Sequence, residues 1–118
     1  MARYSGLDKH FELTTAAADT ATAGFVVPAG VVSMTVFAPN LTTDLTYNLQ
    51  ILDPRTAYGG TETWATLNVY DLVDGTNKAL SDIPDTVPVM IMPVPNTCAL
   101  RFSFATAQAS TWLVIFNY

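Results

Sequence analysis

The sequence predicts an all-β protein, a jelly-roll-like or Greek-key antiparallel β-sandwich of about seven to nine strands. Three observations carry that prediction. Short apolar runs recur at intervals of about 8–12 residues. Gly, Pro, Asn and Asp stand between them as turn residues. No helical pattern of about 10–15 residues alternates with the runs, which argues against an α/β arrangement. With 118 residues the chain is one ordinary domain. At this size folding buries roughly two-thirds of the unfolded chain's surface, enough for stability without disulfide or metal staples.

Taken in order, residues 1–23 differ from the rest. They hold a strand-like piece, "HFELTT", and then the tract "AAADTATA". Thr is a poor helix former and no amphipathic face develops there, so 1–23 reads as an N-terminal arm or loosely attached edge segment. Residues 24–118 read as a single β-sandwich domain. "PAG" gives a turn before the β-branched run "VVSMTVF" (Val31 to Phe37). In "LTYNLQI", Leu45, Tyr47, Leu49 and Ile51 face one way and Thr46, Asn48 and Gln50 the other, the alternation of a half-buried strand. "TWATLNVY" places Ala65, Leu67 and Val69 on an inner face, with Trp64, Thr66, Asn68 and Tyr70 outside. Asp74-Gly75 then signals a hairpin turn before "TNKAL". "CALRFSF" sends Cys98, Leu100, Phe102 and Phe104 inward, and the final "TWLVIFNY" is apolar on both faces.

Composition narrows the functions. Hydrophobic residues make up 50% of the chain and charged residues only 13%, about half the ~25% of ordinary soluble domains. Thr, Ser, Asn and Ala cover the surface instead, which suits a protein that rests against other proteins. The net charge is −5, with five Lys and Arg in all. Binding to a phosphate backbone draws on such cations, so no nucleic-acid partner is expected. The acidic balance equally opposes docking on an anionic membrane. The stretch "MARYSGLDKHFEL" places Arg3, Asp8, Lys9 and Glu12 where a signal peptide needs an apolar run, which points to synthesis in a cytoplasm.

No residue set points to catalysis, and no cofactor or metal is implied. His10 has no Cys or second His to complete a metal site, and Cys98 has no partner for an intrachain disulfide. No Gly-x-Ser-x-Gly elbow accompanies the histidine. Asp44, Asp53, Asp71, Asp74, Asp82 and Asp85 fall at turns, where Asp bends and caps the backbone. "DLVDGTN" lacks the alternating acidic ligands and terminal Glu of a calcium loop.

The aromatic and methionine residues point to contact surfaces instead. Trp64 and Tyr70 lie outside the "TWATLNVY" strand, while Trp112, Phe116 and Tyr118 share one face of the last strand, opposite Leu113 and Ile115. One of those two faces has to be covered. The cover is a second sheet or the arm of the same chain, another subunit, or a sugar stacked on the rings. "VPVMIMPVP" (Val87 to Pro95) adds a further candidate. Nine residues do not span a membrane, and prolines cannot serve a central strand. An edge strand remains, with Val89 and Ile91 on one side and Met90 and Met92 on the other, where flexible thioethers suit an irregular partner.

The segment order "GFVVPAGVVSMTVFAPN", "TYNLQILD", "WATLNVYDLVDGTNKAL" and "CALRFSFATAQASTWLVIFNY" resembles the small all-β virion proteins of tailed bacteriophages, the head decoration or cement proteins, over about residues 25–118. The resemblance implies a non-enzymatic homo-oligomer, a trimer by preference, on the outside of a phage head. It would there bridge subunits of the major capsid protein. Trp64, Tyr70, Met90, Met92, Trp112, Phe116 and Tyr118 are the candidate contacts. The competing expectation is a carbohydrate- or receptor-binding β-module of a phage fibre, with Trp64, Tyr70 and Trp112 as its contacts.

Overall fold

A computed structural model describes residues 10–39, 47–58, 60–71, 76–78, 88–92 and 94–118. Ten strands run through them: β1 (His10–Thr15), β2 (Phe25–Val26), β3 (Ser33–Phe37), β4 (Tyr47–Leu52), β5 (Trp64–Thr66), β6 (Val69–Asp71), β7 (Thr76–Lys78), β8 (Val89–Ile91), β9 (Ala99–Phe104) and β10 (Ser110–Asn117). A 3₁₀ turn, Pro54–Thr56, follows β4.

Eight strands form two four-stranded antiparallel sheets. The first has the order β1-β10-β3-β8 and the second β2-β9-β4-β5, while β6 and β7 pair as a separate hairpin. The topology is that of one long antiparallel ribbon rolled up. Its rungs, from tip to ends, are β4·β5, β3·β8, β2·β9 and β1·β10. Rolling adds the seams β10·β3 and β9·β4, which complete each sheet. Successive rungs fall alternately in the two sheets, and this is the jelly-roll form of the sandwich.

Alternation along the strands selects the core. In β9, Leu100, Phe102 and Phe104 are buried and Arg101 and Ser103 are not. In β4, Tyr47 and Leu49 are buried, and in β10, Trp112 and Val114. Between the sheets runs a chain of rings. Phe102 lies flat on Trp112 (4.8 Å between centroids), and Tyr47 meets Trp112 edge-on at 5.2 Å. At the other end Phe11, Phe25 and Phe116 cluster with centroids 5.2–6.2 Å apart. Trp112, Phe116 and Phe11 come from the first sheet, and Tyr47, Phe25 and Phe102 from the second. Each burial removes ~150–250 Å² of aromatic surface from water, so this spine is the principal apolar bond between the sheets.

Several expectations need correction. Trp112, read as a candidate contact, is 0% exposed at the centre of the core, because the second sheet covers its face. Phe116 is half-buried against Phe11 and Phe25 for the same reason. "TWATLNVY" is two strands, since β5 stops at Thr66 and pairing resumes at Val69 in a different sheet. Ala65 shares the face of its partner Ile51, yet it is exposed: β5 is the outermost strand of its sheet. β6 and β7 do form a hairpin, Val69↔Lys78 to Asp71↔Thr76, and its Asp74-Gly75 turn lies outside the described residues.

Of the segment 1–23, β1 occupies an edge of the first sheet, its Phe11 and Leu13 packing against the core, and residues 1–9 lie outside the described set. "AAADTATA" makes no helix. Ala16–Asp19 is a turn closed by Ala16 N donating to Asp19 Oδ2 (2.8 Å), and Ala21 bridges Ser103. Within "VPVMIMPVP", β8 is the opposite edge of the first sheet, with Val89 and Ile91 buried and Met90 turned out.

Candidate interaction surfaces

A sandwich hides two sheet faces and shows two, so any site is built on the outward positions. On the first sheet these are fixed by register. Glu12, Leu113 and Phe37 lie in one cross-strand row, and His10, Ile115, Thr35 and Met90 in the next. The centre of this face carries no charge: Leu113, Ile115 and Phe37 lie there beside Thr35, whose hydroxyl accepts from Asn117 Nδ2 at 3.1 Å, and Glu12 stands on the edge strand. Phe37 is 42% exposed and Met90 60%, while Leu113 and Ile115 are half-buried between their neighbours. The apolar character continues past one end of the sheet, where Val32, Met92 and Tyr118 are also exposed. Val32 N donates to Asn117 O and Val32 O accepts from Val94 N, which holds these three chain ends together. Gly30, at φ +92°, turns the chain beneath them, and an added Cβ there would sit 3.7 Å from the Tyr118 ring.

The outer face of the second sheet is organised around Trp64. Its ring carries the Arg101 guanidinium, with Cζ 4.4 Å from the ring centroid. Arg101 Nε donates to Gln50 Oε1 at 2.7 Å across the β4·β9 pair, and Trp64 Nε1 donates to Glu62 Oε2 at 3.3 Å. Partial burial lowers the affinity of Arg101 for its proton, and the negative charge of Glu62 works against that shift. The indole tip rests on Gly24. A Cβ at Gly24 would come within 2.9 Å of Trp64 Cη2, so glycine is what lets the ring lie there. One face of Trp64 is therefore already occupied.

Beside this cluster a half-open cleft of about 460 Å³ is cut into the same face. Val26, Leu52 and Ala99 come from three neighbouring strands, Pro54, Ala57 and Tyr58 from the turn after β4, and Thr97 and Cys98 from the approach to β9. The turn is rigidly made. Asp53 Oδ1 accepts from the Arg55 amide and Nε at 3.0 Å each, and Oδ2 accepts from Nη2 at 2.7 Å. The Arg55 hydrogen bonds hold the Asp53 carboxyl below the usual carboxylate range. Thr56 Oγ1 accepts from Thr63 N, and Asp53 N donates to Thr63 O, closing the loop that carries Tyr58. Thr97 adopts φ 56°, a left-handed conformation that a β-branched residue takes at a cost of ~1–2 kcal/mol. It is held there by Thr97 N donating to Val27 O at 2.8 Å. Cys98 Sγ donates to Pro95 O at 3.2 Å, and burial pushes the thiol's pKa up, which favours its protonated form.

Of the candidate contacts, Met90 stands on the outer face of the first sheet, and Met92 and Tyr118 are exposed past the ends of β8 and β10. Trp64 lies on the second sheet, and Trp112 and Phe116 point between the sheets. Tyr70 is in β6 and its side chain lies outside the described residues. Sequence reasoning passed over Phe37, Val32, Val26 and Tyr58. For Tyr58 a signal existed, an aromatic residue set in the polar, Gly-rich loop "PRTAYGG". For Phe37 none did, because "SMTVF" does not reveal which alternate residues face out. Among the described residues, no group of three His, Cys, Asp or Glu side chains is placed to hold a metal ion. The chain matches no protein-family model, no curated protein and no solved structure.

Proposed function

We propose that this chain is a non-enzymatic structural protein of a virion, a head decoration subunit that binds the outside of a phage capsid and bridges its major capsid protein. The observation that carries the reading is the outer face of the first sheet. A surface presenting Phe37, Met90, Leu113 and Ile115, without a charge at its centre, has the make-up of a protein contact. Met90 and Met92 add adaptable contact area at the edge, and the prolines around β8 oppose uncontrolled strand pairing there. Jelly rolls serve in viral capsids and in lectins alike, so the fold is compatible with the reading without selecting it.

The experiment is co-sedimentation with expanded capsids, together with the temperature at which those shells break. Saturating protein is expected to co-sediment and to raise that temperature, and Phe37→Asp or Met90→Asp to abolish both effects. Capsids that neither bind the protein nor gain stability would sink the proposal.

A second reading, a carbohydrate- or receptor-binding module of a fibre, draws support from the second sheet. There Glu62 and Arg101 contact Trp64, with Gln50 bonded to Arg101, and supply donors and acceptors beside an aromatic ring. Against it, Arg101 already covers one face of that ring. Specific binding on a glycan array, lost in Trp64→Ala, is the result that would favour it over decoration.

A further inference from the structure

Met34, Met90 and Met92 are the methionines among the described residues, and the pleat of the first sheet divides them. Met34, in β3, has Ile91 and Phe116 as its cross-strand partners and is 0% exposed in the core. Met90 is the partner of the next β3 residue, Thr35, so it stands on the opposite side of the same sheet and is 60% exposed. Met92 is 40% exposed two positions further on. A thioether reacts with an oxidant through its lone pair and needs no deprotonation, so access decides between these three. The sulfur of Cys98 is a poorer target. It is half-buried, it donates to Pro95 O, and burial favours the thiol over the thiolate that oxidants attack.

We propose that Met90 and Met92 are an oxidation site, at which a peroxide converts the thioethers to sulfoxides on the folded chain and turns the apolar outer face polar. With hydrogen peroxide the step balances. The sulfur lone pair attacks one peroxide oxygen, an S–O bond forms, the O–O bond breaks, and the other oxygen leaves as water; sulfur is oxidised and the peroxide reduced. The fold tolerates the change because β8 packs through Val89 and Ile91, on its other side. The outer face does not. Met90 shares a cross-strand row with Ile115 and Thr35, so a new acceptor oxygen appears within the surface assigned to the capsid. Covering that oxygen without a donor is unfavourable, and oxidation therefore weakens the contact. This consequence rests on the decoration reading; the site itself does not. Capsid binding covers Met90, so the reaction belongs to the free subunit, and sulfoxide reductases reverse it.

The test is treatment of the full chain with dilute hydrogen peroxide, followed by peptide mapping. Met90 is expected to gain oxygen fastest and Met92 next, with Met34 unreacted until denaturant opens the fold. The denaturant midpoint is expected to hold, and the oxidised protein to leave a hydrophobic-interaction column earlier. A Met90→Leu/Met92→Leu variant keeps the apolar face without the sulfurs, so its retention is expected to survive the same treatment. Co-sedimentation with capsids is expected to weaken by about tenfold or more on oxidation, to recover after methionine sulfoxide reductase, and to be unaffected in the leucine variant. Oxidation of Met34 as fast as Met90 would overturn the site, as would retention unchanged by full oxidation, or lost equally in the leucine variant. Capsid binding undiminished after full oxidation would overturn its effect on the contact. Untreated protein that fails to bind capsids would sink decoration, and the effect on the contact with it. The site would still be decided by mapping and retention.

Discussion

The two outer faces of this sandwich solve the same problem in opposite ways. Each sheet turns one side to the core and must finish the other. The second sheet finishes its outer side from within the chain: Trp64 lies against Gly24, Arg101 sits on the indole, and Gln50 and Glu62 satisfy their polar ends. The first sheet leaves its outer side unfinished, with Phe37 and Met90 open to solvent and Leu113 and Ile115 between them. The difference teaches where to look for partners. A surface already satisfied by its own side chains has little to gain from a new contact. A surface with open apolar groups and no charge at its centre has much to gain.

The sharpest way to test that contrast is to compare a residue between the sheets with one outside them. Trp112→Ala removes the ring on which Phe102 is stacked and against which Tyr47 packs. It is expected to cost about 3–5 kcal/mol of stability, read from denaturant midpoints. Phe37→Asp, on the neighbouring strand but outside, is expected to shift stability by no more than about 0.5 kcal/mol while removing the proposed capsid binding. Equal destabilisation by the two would mean that the first sheet's outer face is a structural part of the chain.

These two residues also mark what was legible in the sequence. The all-β class, the strand periods and the inward set Leu100, Phe102 and Phe104 could be read from alternation, because period 2 is a local property. The edge position of β8 could be read from its prolines, because a missing N–H excludes the interior of a sheet. Which face of β10 is inner could not. Both its faces are apolar, and the choice is made by a partner sheet whose strands lie far away in the chain. So Trp112 was expected at a surface and sits in the core. "TWATLNVY" failed for a related reason. Its alternation continues unbroken, but the rolled ribbon needs only Trp64–Thr66 beside β4, and Val69–Asp71 turns off to pair with β7. The cleft was invisible because it is assembled from three strands and two loops.

A second test exchanges the satisfied face for an unsatisfied one. Gly24→Ala brings a Cβ to 2.9 Å from the Trp64 ring, so the indole must move off and Arg101 loses its seat. Overpacking of this kind costs about 1–3 kcal/mol, with a change in tryptophan emission as the ring meets water. Gly30→Ala is expected to cost about 1–2 kcal/mol through its left-handed backbone alone, without altering that emission. If Gly24→Ala is silent in both stability and emission, Trp64 is not held as described.

The smallest effect expected concerns the loop that carries Tyr58. Asp53 accepts three hydrogen bonds from Arg55, which hold its carboxyl below the ordinary value of about 3.9. A carboxyl whose folded pKa is depressed supports the fold in its charged form. Its contribution is complete above about pH 4 and is lost as pH falls through the lower, folded value. Arg55 is exposed and Asp53 half-buried at the surface, so global stability should hardly register the pair. The Arg55 amide and the Tyr58 ring should register it, as NMR shifts that titrate together below the ordinary Asp value. Asp53→Asn should abolish that titration. Phe37, on the other sheet, should not respond. A midpoint at or above the ordinary value would show that the Asp53–Arg55 clamp is open in solution, and the two faces would then differ less in rigidity than their hydrogen bonding implies.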